Sequence, residues 1–129
     1  LTKLPQLEDY INRRRAIADL YNELLEETDL ILPKELKYNR HSYYLYVVRH
    51  HKRDIIISKL KEKDIFLNIS YPWPIHLMTG YSYLGYKEGD LIETEAAAKE
   101  IFSLPMYPTL TDAEVGYVCE QIKVVLNNI

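Results

Sequence analysis

The sequence predicts a two-layer α+β domain in which about three strands are packed by helices. Stretches with apolar residues at three- and four-residue spacing lie towards both ends of the chain, and runs rich in aromatic and β-branched residues lie between them. The predicted order is helix, strand, helix, strand, loop, helix, short strand, helix, which suits helices packed on a small sheet. The 129 residues fit a single domain, 1–129.

The first helix is predicted over residues 4–27, as a long linker helix. Its apolar side chains recur with the spacing of one helical face: Leu7, Tyr10, Ile11, Ile17, Leu20, Tyr21, Leu24 and Leu25. Three arginines at 13–15 interrupt this stripe. We expect them to form a solvated face paired with Glu8 and Asp9; the alternative is a face that docks on another domain. Pro33 should lie beyond the end of the helix.

The first strand is predicted over residues 42–49, SYYLYVVR, because aromatic and β-branched residues favour a central strand. A short basic turn should follow at 50–53. Its adjacent histidines, His50 and His51, should point in different directions, and they lack the i, i+4 spacing of helical metal ligands. A solvated turn is therefore expected here rather than a metal site.

A second helix is predicted over residues 54–62, with Asp54 as its N-cap and with Ile56, Ile57 and Leu60 facing inward. Asp64 should then adopt the left-handed conformation that ends a helix, a position where glycine is preferred. The second strand is predicted over residues 65–71.

Residues 77–89 are rich in turn signals, with glycines at 80, 85 and 89. A helix is predicted over 92–101, since three alanines favour it. A short strand over 102–106 contains a proline, which argues for an edge position or a strand end.

The last helix has the clearest start. Thr111 and Glu114 form a capping box, in which the hydroxyl and the carboxylate satisfy free amide donors reciprocally. Behind it the apolar residues share one face: Val115, Val118, Cys119, Ile122, Val125 and Leu126.

Composition restricts the class of partner. Hydrophobic residues make up 47% of the chain and charged residues 27%, which is ordinary for a globular domain, and the net charge of −3 offers no basic field for nucleic acid. No apolar run approaches the roughly 20 residues of a membrane span. One cysteine, Cys119, cannot form an internal disulfide, which suits a reducing, cytoplasmic compartment. No phosphate loop, metal-ligand set or nucleophile elbow is recognisable.

A stiff run, NISYPWPIH at residues 68–76, stands out as the candidate site. Each of its two prolines fixes its own φ and favours an extended conformation in the residue before it. Ser70, Tyr71 and His76 could thus be presented at fixed spacing by a loop. The alternative is that Trp73 and Ile75 fill a core and that His76 caps a helix.

Several stretches occur in an order that is specific when taken together. They are RRAIADLY (14–21), HSYYLYVVR (41–49), YPWPIH (71–76), LGYKEGD (84–90), TE (94–95) and IFSLPMYP (101–108). In these stretches the chain resembles the C-terminal small domain of the DegT/DnrJ/EryC1/StrS family. That family comprises pyridoxal-phosphate-dependent nucleotide-sugar aminotransferases. The resemblance implies the small-domain fold of fold-type-I PLP-dependent transferases.

The resemblance also implies a longer parent enzyme in which another domain binds the cofactor. An N-terminal PLP-binding large domain would supply the Schiff-base lysine, so PLP is expected in the full-length parent and none on this chain alone. The parent would transfer an amino group from an amino acid, expected to be glutamate, to a keto-sugar nucleotide, and it would be a homodimer. This chain by itself should be inactive and should supply no catalytic residue.

Four residues are expected to bind the substrate: Tyr44, Ser70, Tyr71 and His76. The expectation for Tyr44 depends on the strands 42–49 and 65–71 being neighbours. The family often has histidine at the positions of Tyr44 and Ser70, so this chain departs from the pattern at the substrate-facing loop. The alternative function is a non-catalytic binding or dimerisation module with the same fold.

Overall fold

A computed structural model describes residues 2–129 and confirms the two-layer α+β class. Its elements in chain order are α1 Leu7–Leu25, β1 Tyr46–Arg49, α2 Arg53–Lys61, α3 Ile92–Glu100, β2 Ile101–Leu104 and α4 Asp112–Leu126. Short 3-10 helices lie at Leu4–Gln6, Ile75–Leu77 and Thr79–Leu84. None of the helices in residues 2–129 combines the length and the apolar character needed to cross a bilayer.

The sheet is smaller than the sequence predicts. Strands β1 and β2 pair antiparallel, with Tyr46 opposite Leu104. Single bridges extend this pair, from Ile31 to Arg49 and from Asn68 to Ser103. The predicted strand 65–71 is therefore wrong, because only its Asn68 joins the sheet. The two prolines that follow lack the N–H groups that a continuing ladder needs.

Strand order also differs from the expectation. The backbone N–H and C=O of Ser103 both bond to Asn68, while β2 pairs with β1 along its other edge. Strand β2 thus lies between β1 and the segment that contains Asn68. The expected adjacency of 42–49 and 65–71 is wrong.

The core lies where α4 packs against both α1 and α2. The predicted apolar face of α4 is confirmed, since five of its residues are buried: Val115, Val118, Cys119, Ile122 and Val125. Tyr21 of α1 and Tyr46 of β1 are fully buried, with ring centroids 4.9 Å apart. Their hydroxyls donate to the Pro105 carbonyl at 2.9 Å and to Asn22 Oδ1 at 2.6 Å, so neither buried O–H group is left without a partner.

The arginines of α1 connect distant parts of the chain. Arg13 donates to the Leu110 carbonyl and to Asp112 Oδ1, the latter at 2.8 Å. Arg15 makes a bidentate pair with Glu35, at 2.7 and 2.8 Å. The expected pairing with Glu8 and Asp9 is wrong for Arg13 and Arg15, because they pair with Asp112 and Glu35, and Glu8 pairs with Arg40.

Strand β1 begins four residues later than predicted. Tyr43 has a φ of 45°, which an extended strand cannot contain, and its N–H donates to the Nδ1 atom of His41 at 2.9 Å. After the strand, His50 is buried and its ring stacks on that of His51, with centroids 4.4 Å apart. The expectation of divergent, solvated histidines is therefore wrong for His50, which bonds through Nε2 to Asp29 at 2.9 Å.

The second helix starts one residue earlier than predicted, so Asp54 is not its N-cap. Lys52 occupies the cap position, and Asp54 lies in the first turn, where its charge still complements the helix dipole. At the other end Asp64 has a φ of 59°, which confirms the left-handed conformation. The capping box of α4 is also confirmed, with Thr111 N–H donating to Glu114 Oε2 at 2.8 Å.

Candidate functional site

The candidate site is built on the segment that leaves the sheet at Asn68. The Asn68 backbone is held by Ser103, and its side-chain amide donates to Ser70 Oγ at 3.2 Å. Ser70 is half-buried, whereas Tyr71 is 67% exposed. The predicted site residues Ser70 and Tyr71 therefore follow Asn68 at the sheet edge, and the side chain of Tyr71 is exposed to solvent.

The predicted site residue His76 lies inside the chain rather than on its surface. His76 is the second residue of the 3-10 helix Ile75–Leu77 and is only 7% exposed. Its Nε2 atom lies 3.0 Å from Oε1 of Glu95, which is itself 8% exposed. The ring of Tyr86 packs edge-on against the imidazole, with ring centroids 6.0 Å apart. In this structure the Nε2 atom of His76 is hydrogen-bonded to Glu95. Direct contact of His76 with a substrate stays a prediction.

Sequence reasoning missed Glu95 as the partner of His76. The carboxylate also accepts from the Gly89 N–H, at 2.9 and 3.0 Å, and from the Leu91 N–H, at 3.3 Å. These backbone donors, and then His76, hold the pKa of Glu95 below its usual range. The available signal was a glutamate in the first turn of a predicted helix, directly after a turn-rich segment.

Tyr44 is 73% exposed and lies in the segment before β1. Because β2 separates β1 from Asn68, the sheet does not bring Tyr44 beside Ser70 and Tyr71 as neighbouring strands would. A substrate-binding role for Tyr44 stays a prediction.

An extended apolar surface follows the proline-rich run. We term residues 70–91 the aromatic loop. The large apolar side chains that it exposes include Tyr71, Trp73, Ile75, Tyr83, Leu84 and Tyr86. Trp73, which is 70% exposed, forms with Leu77 and Met78 part of an apolar groove of about 350 Å³. The expected alternative, that Trp73 and Ile75 fill a core, is wrong. Exposed apolar side chains concentrated in one loop, with an apolar groove among them, are typical of interaction sites.

The residues that the structure describes contain no group of three or more histidine, cysteine or acidic side chains placed to hold a metal ion. None of the lysines in residues 2–129 is buried. A lysine that forms a Schiff base needs a desolvated or cationic site that lowers its pKa. The side chains present therefore do not fit a covalent PLP site within this chain.

The sequence profile of the DegT/DnrJ/EryC1/StrS aminotransferase family matches residues 1–123. The chain belongs to this family. A member from Micromonospora megalomicea subsp. nigra, dTDP-3-amino-3,4,6-trideoxy-alpha-D-glucose transaminase, is 46% identical over 132 aligned positions, covering 98% of this chain and 35% of that protein. The pleiotropic regulatory protein of Geobacillus stearothermophilus is 44% identical, covering 93% of this chain and 33% of that protein.

Solved structures of the family have the same fold. The crystal structure of S. venezuelae DesV, in complex with a ketimine intermediate, superposes with a TM-score of 0.94 at 27% identity. That superposition covers 99% of this chain and 35% of DesV. This member of the DegT/DnrJ/EryC1/StrS family thus spans about a third of the length of the relatives that it matches.

Proposed function

We propose that this chain is the C-terminal small domain of a PLP-dependent aminotransferase that transfers an amino group from an amino acid, glutamate, to a keto-sugar nucleotide. The observation that carries the proposal is the 46% identity to a dTDP-amino-sugar transaminase along nearly the whole chain but only a third of that relative. A dTDP-linked keto-sugar is therefore the substrate class to test first.

In this proposal the cofactor chemistry belongs to an N-terminal large domain. PLP supplies the electron sink when bound there, and the large domain supplies the lysine that holds it. No step through PLP is assigned to this chain, because its lysines lie at the surface or half-buried. The isolated 129 residues are expected to be inactive, and the parent enzyme is expected to be a cytoplasmic homodimer.

The aromatic loop would close the substrate cleft from this side. Its exposed apolar residues would pack on the large domain, and the polar tips of Ser70 and Tyr71 would contact sugar hydroxyls or the nucleotide phosphate. Support comes from the exposure of Tyr71 and Trp73 and from the greater length of the relatives. Tyr44 and His76 complete the proposed set of substrate-binding residues, and His76 is the buried member of that set.

A chimera tests this function. The part of the Micromonospora transaminase that this chain does not match would be joined to residues 1–129 and assayed with PLP, glutamate and a dTDP-keto-sugar. Amino transfer is expected from the chimera and from neither part alone. A correctly folded chimera that binds PLP but transfers no amino group would contradict the proposal.

Tyr71 provides the sharper test of the site. Tyr71→Phe should lower kcat/KM for the keto-sugar about tenfold or more, or about 1–3 kcal/mol, because a hydroxyl that bonds the substrate leaves its partner unpaired when removed. His76→Ala should have an effect of similar size. The half-reaction with glutamate should suffer less. Tyr38→Phe, which removes a hydroxyl from a tyrosine that is 97% exposed and lies outside the aromatic loop, is the matched control.

Equal damage to both half-reactions, with a lower melting temperature, would show instead that Tyr71 and His76 are packing residues. Isolated residues 1–129 should also bind PLP no better than any protein with surface lysines. Borohydride reduction followed by peptide mapping checks this expectation, and one stoichiometric lysine adduct would refute it.

A second candidate function is a non-catalytic binding or dimerisation module with this fold. The observation that favours it is the 44% identity to a Geobacillus protein whose name describes regulation rather than transfer. Sedimentation of the isolated chain distinguishes the two candidates when combined with the chimera: the module predicts a stable dimer of residues 1–129 and an inactive chimera.

A further inference from the structure

The aromatic loop is held in place with almost no help from the hydrophobic core. His76 is the one buried residue among positions 70–94, and no residue of this range belongs to the core. The backbone hydrogen bonds of the loop are local and join residues three or four apart, such as Leu77 to Pro74 and Gly85 to Ser82. Apolar burial therefore does not determine its shape, and some other contact has to connect its ends.

Glu95 makes that connection. His76 lies near the beginning of the loop, and Gly89 and Leu91 lie at its end, yet all three are hydrogen-bonded to the same carboxylate. The carboxylate is carried by α3, which continues directly into β2 at Ile101. Both ends of the loop are thus bonded to one side chain on an element that is anchored in the sheet.

The chemistry of these contacts fixes the state of each group. An ionised carboxylate only accepts, so the Nε2 atom of His76 has to carry a proton and donate it. Gly89 has a φ of +94°, a left-handed conformation that residues with side chains rarely adopt, and its N–H donates to Glu95. A buried carboxylate with this many donors is satisfied, whereas the same carboxylate without them would carry a large desolvation cost.

We propose that Glu95 is a positioning residue, whose carboxylate clamps both ends of the aromatic loop to α3 and so fixes the surface that carries Tyr71 and Trp73. The expected partners of this surface are the keto-sugar nucleotide and the large domain, and this expectation rests on the proposed function. The clamp itself is a property of residues 1–129. Glu95 is not a catalytic residue, because it is 8% exposed and its two oxygens are occupied by His76 and backbone donors.

The unaltered chain offers the first test. Nitrogen-15 NMR of the His76 imidazole at neutral pH should show a protonated Nε2, correlated with the Glu95 carboxylate. A neutral ring with its proton on Nδ1 alone would overturn the proposal, because that tautomer cannot donate to Glu95. This measurement needs no variant and does not depend on whether an altered chain folds.

Variants give the second test. Glu95→Gln should speed amide hydrogen exchange of Gly89 and Leu91 by about tenfold or more, while Ile122 in α4 changes less than about twofold. It should also make the loop a substrate for chymotrypsin under native conditions. Glu93→Gln, an exposed change on the same turn of α3, is the matched control and should alter neither.

Two results would overturn the proposal: unchanged exchange at Gly89 and Leu91 in Glu95→Gln, or equal acceleration at these amides and throughout α4. The second result would mean that Glu95 stabilises the whole domain and does not position the loop. Failure of the proposed function is distinguishable from both, since an inactive chimera beside an intact clamp refutes the function alone.

Discussion

The N-terminus of α4 gives the most direct test of how local sequence stabilises this fold. The Thr111 hydroxyl accepts from the Glu114 N–H at 3.2 Å and donates to the Glu114 carboxylate at 2.7 Å, while the Thr111 N–H donates to that carboxylate at 2.8 Å. Thr111→Ala removes both hydroxyl contacts and leaves the backbone contact. The helix that it caps carries five buried residues, so any fraying of this end reaches the core.

The expected cost is about 1 kcal/mol, within the range of about 0.5–2 kcal/mol for replacing such an N-cap. Thr111 is exposed, so loss of apolar burial adds little to this figure. The free energy of unfolding of a domain of this size is on the order of 10 kcal/mol, and the change therefore removes about a tenth of it. With a urea dependence of about 2 kcal/mol per molar, the midpoint should fall by about 0.5 M.

Urea denaturation followed by circular dichroism measures this change. Thr109→Ala is the matched control, because it makes the same substitution at an exposed position outside the cap. Thr111→Ser keeps a hydroxyl and should restore most of the lost stability. A double-mutant cycle with Glu114→Ala should show coupling between the two residues. If Thr111→Ala and Thr109→Ala unfold at the same urea concentration, the cap does not stabilise α4 and the reasoning fails.

Three further predictions concern buried and paired groups. Tyr21→Phe should lower the free energy of unfolding by about 1–1.5 kcal/mol in the same urea assay, because the Pro105 carbonyl loses its buried donor; an unchanged midpoint would contradict this. The Arg15 guanidinium, and then the His41 N–H, lower the pKa of Glu35 to about 2 from 4.5, so this carboxylate stabilises the fold above about pH 4.5 and loses that effect as the pH falls towards 2. Glu35→Gln should therefore flatten the pH dependence of stability in this acid range, and an unaltered slope would show that the pair contributes nothing. Burial raises the pKa of the Cys119 thiol to about 11, so Ellman's reagent at pH 8 should label it only after urea unfolding, and rapid labelling of the native chain would show that the core opens.

Elements with a local cause could be predicted from the sequence. The capping box and the apolar face of α4 lie within a few residues of one another, and the left-handed Asp64 follows directly from the helix that it ends. Such features depend on neighbours along the chain, which a single sequence displays. The α+β class followed because the long amphipathic helices were strong signals.

Features that depend on distant partners could not be predicted. Residues 65–71 carry strand-forming side chains, yet within this range only Asn68 pairs with the sheet, through a single bridge to Ser103. His76 could be recognised as unusual, but its partner Glu95 lies beyond the whole aromatic loop. The predicted set of Tyr44, Ser70, Tyr71 and His76 therefore lacked Glu95, the side chain that bonds to His76.

The packing of α1 on α4 has a consequence for synthesis on the ribosome. The burial of α1 is completed only once α4 is present, because α1 packs on α4 as well as on Tyr46 of β1, and Arg13 donates to Leu110 and Asp112 at the start of α4. While residues 1–111 are being made, the contacts of α1 with α4 are missing, and apolar surface left exposed in this way attracts chaperones or aggregates. Ribosome profiling of nascent-chain binding should thus find trigger factor or its equivalent on this domain until α4 has left the exit tunnel.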